Sequence, residues 1–132
     1  MKAILGIDYG RVRIGLAVSD LGIIARPLSV IINRGERKNL AALAEIVRAN
    51  NISTIVIGLP IYKDTSMSDE VRAFAKTLEP LGITIAFQNE MLSSVTAEEI
   101  AGKKNRQLID SYAASVILQE YLKGENKHGL QN

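Results

Sequence analysis

The stretch Ala3–Ser19, which reads AILGIDYGRVRIGLAVS, decides the fold of this chain. Its first apolar run, residues 3–7, is typical of a short buried strand and ends at Asp8. A second strand is predicted from Ile14 to the end of the stretch, and only residues 9–13 separate the two. Because so tight a connection favours antiparallel pairing, we expect a β-hairpin with Asp8 beside its turn.

The segments that follow extend this hairpin into an α/β domain. A third strand is expected over residues 28–32, directly after Pro27, where a missing N–H is tolerated. Three antiparallel strands followed by strand–helix alternation predict a five-stranded mixed sheet, antiparallel and then parallel, with helices on both faces. The other predicted strands are Ser53–Gly58 and Ile83–Phe87, and the predicted helices span 37–50, 68–81, 95–101 and 107–122.

Length and composition fit one globular domain. The chain has 132 residues, of which 47% are apolar and 23% charged, as in ordinary folded proteins. Gly124 begins a polar segment after the last predicted helix. We therefore expect a single domain over residues 1–124 and a flexible polar tail over residues 125–132.

The sequence contains no cysteine, which excludes disulfides, thiolate zinc sites and cysteine nucleophiles and suits a reducing compartment. The apolar run near the start is interrupted by Asp8, so no secretory signal is predicted. No uninterrupted apolar stretch approaches the ~20 residues that a membrane-spanning helix needs. We expect a soluble, cytoplasmic protein without a membrane partner.

The positive charges form local groups in a chain whose formal net charge is +2 and whose pI is about 9.0. A small positive surplus tilts the protein towards polyanionic partners, although solvated helix faces and helix ends explain most such groups. Each group could contact phosphate, or it could simply lie on a solvated helix face or helix end. The groups are Arg11 with Arg13, Arg34 with Arg37 and Lys38, and Lys103 with Lys104 and Arg106.

Three acidic residues stand where catalysis could use them. Asp8 closes a predicted strand, Glu90 lies just past another, and Asp110 is near the start of the last helix. In open α/β sheets, the carboxyl ends of the strands form the crevice where ligands bind. If the three carboxylates converge, a divalent cation such as Mg²⁺ would relieve their mutual repulsion. The alternatives are that these acids cap helices or pair with arginine, or that Asp110 favours its helix dipole.

Several other site motifs are missing from the sequence. Its glycines form neither a G-x-G-x-x-G dinucleotide fingerprint at a helix start nor a G-x-x-x-x-G-K-[ST] phosphate loop. The single histidine, His128, falls in the polar tail, so a Ser-His-Asp triad is not expected. Ser93 and Ser94 could be considered as nucleophiles, but helix capping explains them equally well.

Four blocks of sequence are specific when they are taken together. They are Gly6–Gly10 with Arg13–Asp20; Val56–Pro60 with the apolar residues of 71–78; Glu90–Ser94; and Asp110 with 113–114 and 117–119. In this order they resemble the signature blocks of the YqgF family of Holliday junction resolvases and pre-16S rRNA nucleases, which belongs to the ribonuclease-H-like superfamily. The resemblance extends over nearly the whole chain, to about Leu122.

The resemblance implies a ribonuclease-H-like fold and a metal-dependent nuclease that hydrolyses nucleic-acid phosphodiesters. Asp8, Glu90 and Asp110 match the acidic triad of the family and would hold Mg²⁺, with Mn²⁺ as an alternative. Arg13 would be a nearby phosphate contact. The implied role is processing of the 5′ end of pre-16S rRNA in ribosome biogenesis. Resolution of four-way DNA junctions in recombination is the alternative, and since it would require a dimer, both a monomer and a homodimer stay open.

The chain departs from the family pattern at two places. The family's D-E-R-L reads NEML at 89–92, which removes an arginine that could bind phosphate in a bidentate manner. Lys103, Lys104 and Arg106 could supply that contact instead. In an earlier loop, Thr65 stands where the family usually has glycine. A nucleic-acid-binding module with weakened catalysis is therefore a further hypothesis.

A phosphate-binding or ATPase domain is a rival of a different class. Asp8 and Gly10, with Gly15 beyond them, also resemble the first phosphate loop of the actin and sugar-kinase superfamily. Those enzymes close two lobes over a nucleotide, and 132 residues supply one lobe. This hypothesis predicts tight ATP binding, which calorimetry would detect.

Overall fold

A computed structural model describes residues 3–60, 65–90 and 106–131. This part of the chain contains five strands, three α-helices and one short 3-10 helix. The strands are β1 (Ala3–Asp8), β2 (Arg13–Ser19), β3 (Arg26–Ile32), β4 (Ile52–Leu59) and β5 (Thr84–Asn89). The helices are α1 (Glu36–Ala49), α2 (Thr65–Thr77) and α3 (Arg106–Gln131), and the 3-10 helix is Glu79–Leu81.

The strands form one mixed sheet in the order β3-β2-β1-β4-β5. β1, β2 and β3 are antiparallel neighbours, whereas β4 runs parallel to β1 and β5 runs parallel to β4. Parallel neighbours need crossover connections, and α1 and α2 lie in the connections that lead to β4 and β5. The hairpin and the five-stranded mixed sheet that the sequence predicted are confirmed.

The larger apolar side chains of the sheet cover one of its faces. Leu5, Ile7 and similar aliphatic residues of the strands pack there against Leu43 of α1 and Phe74 of α2. Successive side chains of a strand point to opposite faces, so the alternate positions of the same strands face α3. Helices therefore lie on both faces, as the sequence predicted.

The face beneath α3 is made of small residues. Ala17 and Val56 pack there under Ile117 and Leu118 of the helix. Gly58 lies on the same face, where an added Cβ atom would stand 2.6 Å from Cδ1 of Ile117. Because glycine has no Cβ, α3 rests almost directly on the backbone of the central strands. This close approach brings residues of α3 to the strand ends.

Two helices differ in extent from the sequence predictions. α2 ends at Thr77, and residues 79–81 form a separate 3-10 helix, since Pro80 lacks the N–H that a continuing helix needs. α3 continues past Leu122 to Gln131, because one glycine, Gly124, costs a helix interior only about 1 kcal/mol. The mobility of residues 125–132 stays a prediction, and the predicted helix 95–101 lies outside the described residues. None of the helices described combines the length and apolar character needed to cross a membrane.

Candidate active site at the carboxyl edge of the sheet

The parallel strands end together at one edge of the sheet. Asp8 is the last residue of β1, and its neighbour Ile7 pairs with Ile57 of β4. Glu90 directly follows β5, and its backbone N–H donates to the carbonyl of Leu59, the last residue of β4, at 2.8 Å. Two of the three predicted acids therefore stand at the carboxyl ends of parallel strands, which is where open α/β sheets bind ligands.

Asp8 faces α3. A Cβ atom built on Gly6 would lie 2.8 Å from Cβ of Leu118, so this position of β1 points at the helix. Asp8 lies two residues further along the same strand, and strand positions two apart share a face. Across the hairpin, Asp8 pairs with Gly15 of β2. Its carboxylate is half-buried at the end of the strand, on the side of the sheet that α3 covers.

Glu90 is buried, with only 5% of its surface exposed. Its Oε2 lies 3.5 Å from the position that a Cβ atom on Gly58 would take, and Cδ1 of Ile117 borders the same position. The carboxylate is thus directed back over β4, beneath α3, rather than out to solvent. Burying a carboxylate is costly unless hydrogen-bond donors or cations compensate it, and a divalent ion is one group that could contribute to this compensation.

Asp110 reaches the same face from α3. A Cβ atom on Gly15 would overlap the carbonyl oxygen of Asp110 and would lie 3.2 Å from its Cβ. Nε of Arg13 donates to Oδ2 of Asp110 at 2.6 Å, and the two side chains are 27% and 25% exposed. Arg13 and Asp110 are therefore in direct contact, and they meet beside the β2 residue that pairs with Asp8.

The structure thus places Asp8, Glu90 and Asp110 at one edge and on one face of the sheet. Their oxygens are the hard ligands that Mg²⁺ prefers, so the donor set fits a divalent ion. Within the described ranges, however, no group of three or more acidic, histidine or cysteine side chains is arranged to hold a metal ion. A shared ion stays a prediction, and Asp110 is engaged by Arg13 in the arrangement observed.

The other predicted basic residues have different surroundings. Arg11, in the β1–β2 turn, donates to both carboxylate oxygens of Glu70 on α2, with a shortest distance of 2.6 Å. The group of Arg34, Arg37 and Lys38 is exposed around the start of α1. Lys103 and Lys104 lie outside the described residues, as do Ser93 and Ser94, whereas Arg106 is the first residue of α3.

Two asparagines that the sequence analysis missed hold the β1–β2 turn beside the site. The side-chain amide of Asn33 donates to the carbonyl of Gly10 at 2.9 Å, and its backbone N–H donates to the carbonyl of Val12 at 2.9 Å. The amide of Asn39 donates in turn to Oδ1 of Asn33 at 2.9 Å, and Oδ1 of Asn39 accepts from the backbone N–H of Arg34 at 3.0 Å.

A sequence signal for Asn39 was available. It lies four residues before Leu43, which is fully buried, and it occupies the same stripe of α1 while being only 4% exposed itself. A polar residue on an apolar helical stripe indicates a buried hydrogen-bond partner, because unpaired buried amides are costly. The identity of that partner depends on tertiary structure.

The sheet order, the helices on both faces and the acids at the carboxyl edge define the class as a ribonuclease-H-like α/β domain. Solved structures with this fold include Thermus thermophilus RuvC in complex with a Holliday junction substrate, with a TM-score of 0.57, 16% identity, and coverage of 95% of this chain and 96% of that one. The fowlpox virus resolvase with Holliday junction DNA has a TM-score of 0.56, 10% identity, and coverage of 92% and 97%. At these identities the similarity establishes the fold.

The family model described as "RuvX: Holliday junction resolvase" matches residues 2–124, and the chain belongs to this family. Two similar relatives carry the name "Putative pre-16S rRNA nuclease". The protein of Anaeromyxobacter dehalogenans (strain 2CP-C) is 40% identical over 129 residues, covering 89% of this chain and 94% of its own. That of Syntrophus aciditrophicus (strain SB) is 39% identical over 130 residues, covering 90% and 87%. The resemblance to the YqgF family, which is the same family, is confirmed.

Proposed function

We propose that this protein is a divalent-metal-dependent nuclease that processes the 5′ end of pre-16S rRNA. Membership of a nuclease family supports hydrolysis of nucleic-acid phosphodiesters, and the names of relatives that are about 40% identical support the RNA precursor as substrate. The observation that carries the proposal is that Asp8 and Glu90, at the carboxyl edge of the sheet, and Asp110, on α3, lie on the same face of the sheet.

The three acids are the ion ligands of the proposed mechanism. Asp8, Glu90 and Asp110 would hold Mg²⁺ or Mn²⁺ through their carboxylate oxygens. When bound, such an ion supplies Lewis-acid polarisation of the phosphate and a water that is easier to deprotonate. Glu90, which is buried under α3, provides an anchored ligand, while Asp8 and Asp110 are half-buried and stay accessible to substrate.

Arg13 is the proposed phosphate contact. Its guanidinium lies beside Asp110, so a positively charged hydrogen-bond donor is present where a scissile phosphate would approach the acids. Arginine suits this role because its planar group donates several hydrogen bonds to phosphate oxygens. The turn that precedes it is held by the hydrogen bonds of Asn33 to Gly10 and Val12, which limits movement of the arginine relative to Asp8.

The departure from the family's D-E-R-L pattern at Asn89 leaves the acid itself intact. Asn89 is exposed at the end of β5, whereas the next residue, Glu90, is buried, so the two side chains point to different surroundings. The amide at position 89 therefore leaves the surroundings of the acid unchanged, and the two hypotheses, a nuclease and a binding module with weakened catalysis, are separated by the cleavage assay. Met91, which replaces the arginine of the same pattern, lies outside the described residues.

Cleavage of a 5′-labelled pre-16S rRNA fragment in Mg²⁺ tests the proposal. Asp8→Asn should lower the rate by at least about a thousandfold, because it removes a charged ligand where phosphate and ion meet. Asp20→Asn is the matched control, since Asp20 is an exposed residue paired with Arg26, and it should cleave like the parent. Equal rates for Asp8→Asn and the parent would refute the catalytic assignment.

Resolution of a four-way DNA junction is the second candidate, favoured by the description of the matching family and by structural neighbours solved with junction DNA. The same variants should be assayed on a four-way junction alongside the RNA fragment. Symmetric cleavage of opposing strands requires two sites in one assembly, so it would be accompanied by a dimer in sedimentation. Faster cleavage of the junction than of the RNA would favour this candidate.

A further inference from the structure

An ion pair joins two residues of the proposed site, Arg13 and Asp110, across 97 positions of sequence. The contact at 2.6 Å is charge-assisted, and both side chains are largely shielded from solvent. Such a pair is less screened by water and salt than a surface pair. Among the described residues, Asp110 accepts the hydrogen bond of the Arg13 guanidinium. Arg13 is therefore paired with Asp110, which is one of the metal ligands in the proposed function.

The backbone of β2 and the position of α3 bring Arg13 and Asp110 together. Arg13 and Gly15 lie two positions apart on β2 and share a face. The absence of a side chain at Gly15 lets Asp110 sit against the strand, directly beside the position of Arg13. Since Gly15 pairs with Asp8 across the hairpin, the guanidinium stands close to the place where an ion shared by Asp8 and Asp110 would bind.

We propose that Arg13 is a placeholder cation, which neutralises Asp110 while no divalent ion is bound and is released when the ion arrives. This inference rests on the proposed function. A carboxylate in a shielded site needs a positive partner, and Arg13 supplies one in the arrangement observed. Two cations on one carboxylate repel each other, so a divalent ion held by Asp110 would favour release of the guanidinium. The freed arginine then has its donors available for a substrate phosphate.

The exchange couples metal loading to substrate binding. Divalent-ion binding has to overcome the Arg13–Asp110 pair, so the parent protein binds the ion more weakly than its carboxylates alone would. Because binding couplings are reciprocal, the ion also increases the availability of Arg13 to phosphate. A residue that only touched substrate would leave the affinity for the ion unchanged when it is substituted. The affinity for the ion without nucleic acid therefore separates the two roles.

Mn²⁺ binding without nucleic acid, followed by electron paramagnetic resonance of the free ion, tests the proposal. Arg13→Gln should bind Mn²⁺ about tenfold more tightly than the parent, within the usual range of coupling between sites. Arg11→Gln is the matched control, because Arg11 lies in the same turn and pairs with Glu70 instead of Asp110. Arg11→Gln removes the same charge close by, and its affinity for Mn²⁺ should stay within about twofold of that of the parent.

Thermal unfolding gives a second readout that does not depend on catalysis. In EDTA, Arg13→Gln should unfold at a lower temperature than the parent, since Asp110 loses its positive partner. Added Mn²⁺ should raise the unfolding temperature of Arg13→Gln by more than that of the parent. If the variant does not fold in EDTA, recovery of folding by Mn²⁺ measures the same exchange.

Equal or weaker Mn²⁺ binding by Arg13→Gln, or equal tightening by Arg11→Gln, would overturn the placeholder role. Asp8→Asn distinguishes this failure from that of the proposed function. If the parent binds Mn²⁺, Asp8→Asn does not, and Arg13→Gln equals the parent, then the metal site stands and only the placeholder is wrong. If the parent and Asp8→Asn bind Mn²⁺ alike, the metal site of the proposed function fails, and the placeholder fails with it.

Discussion

At the scale of single residues, Gly15 connects the sheet to the site. It pairs with Asp8 in the hairpin, and its missing side chain leaves the space in which the backbone of Asp110 lies. Because the backbone of Asp110 occupies the space that a Cβ atom on Gly15 would need, any larger residue at this position would move β2 or α3. The geometry that brings acids from β1 and α3 together therefore depends on this one position.

Gly15→Ala should destabilise the protein by about 2–3 kcal/mol, because the new methyl group overlaps the Asp110 carbonyl and forces the helix away. The variant should also cleave more slowly, since Asp110 moves with the helix. Urea unfolding measures the first effect, and the RNA cleavage assay measures the second. Gly124→Ala is the control: apart from α3 itself, no atom of the residues that the structure describes lies within 4 Å of the added methyl group, so a gain of up to about 1 kcal/mol is expected. A stable, fully active Gly15→Ala would contradict this role.

At the scale of elements, the β1–β2 turn is tied to α1 through Asn33 and Asn39. The turn contains Arg11 and leads into Arg13, the first residue of β2. It is held by the amide hydrogen bond of Asn33 to Gly10 and by that of Asn39 to Asn33, each of 2.9 Å. Asn39 is buried, so each of its bonds is protected from water. Fully satisfied buried polar networks fix one arrangement of the elements they join.

Asn39→Ala should cost about 1–3 kcal/mol, the penalty expected when buried hydrogen-bond partners are left unpaired. Here the partners are Oδ1 of Asn33 and the backbone N–H of Arg34. Urea unfolding measures the loss, and faster amide hydrogen exchange in residues 9–13 would show that the turn has loosened. Lys38→Ala, at the exposed neighbouring position of α1, should change stability by less than about 0.5 kcal/mol. Unchanged exchange in the turn of Asn39→Ala would show that the network does not hold it.

At the scale of the whole molecule, the core determines how much of the chain the domain needs. The family model ends at residue 124, and Leu122 is the last buried position among the side chains described. It belongs to the cluster in which Ile117 and Leu118 of α3 cover the small residues of the sheet. Residues 123 and 124, which follow Leu122 in α3, are exposed.

A chain that ends at Gly124 should therefore unfold at the same temperature as the full chain and cleave RNA at the same rate. A chain that ends at Val116 is the control. It loses Ile117, Leu118 and Leu122 from the core and should not fold, because large buried aliphatic residues each contribute several kcal/mol. A drop of several degrees on removing residues 125–132 would show that the predicted tail is part of the domain.

The sequence by itself determined the elements whose signal is local. The hairpin of residues 3–19, the mixed sheet and the positions of Asp8 and Glu90 after strands follow from runs of apolar residues and from short connections, which act between near neighbours. The family resemblance also depended on the order of short motifs. α2 ends at Thr77, before the end of the predicted helix 68–81, because apolar spacing continues past Thr77 whereas Pro80 lacks the N–H that a continuing helix needs.

Only the tertiary structure decided which distant residues meet. Arg13 and Asp110 are separated by 97 residues, Arg11 and Glu70 by 59, and no local pattern specifies either pair. Their contacts depend on the depth to which α3 and α2 dock on the sheet, and for α3 that depth is set by glycines opposite the helix. Docking is a sum of many weak packing interactions spread over the whole core, so the partners of a charged residue emerge only when every element is in place.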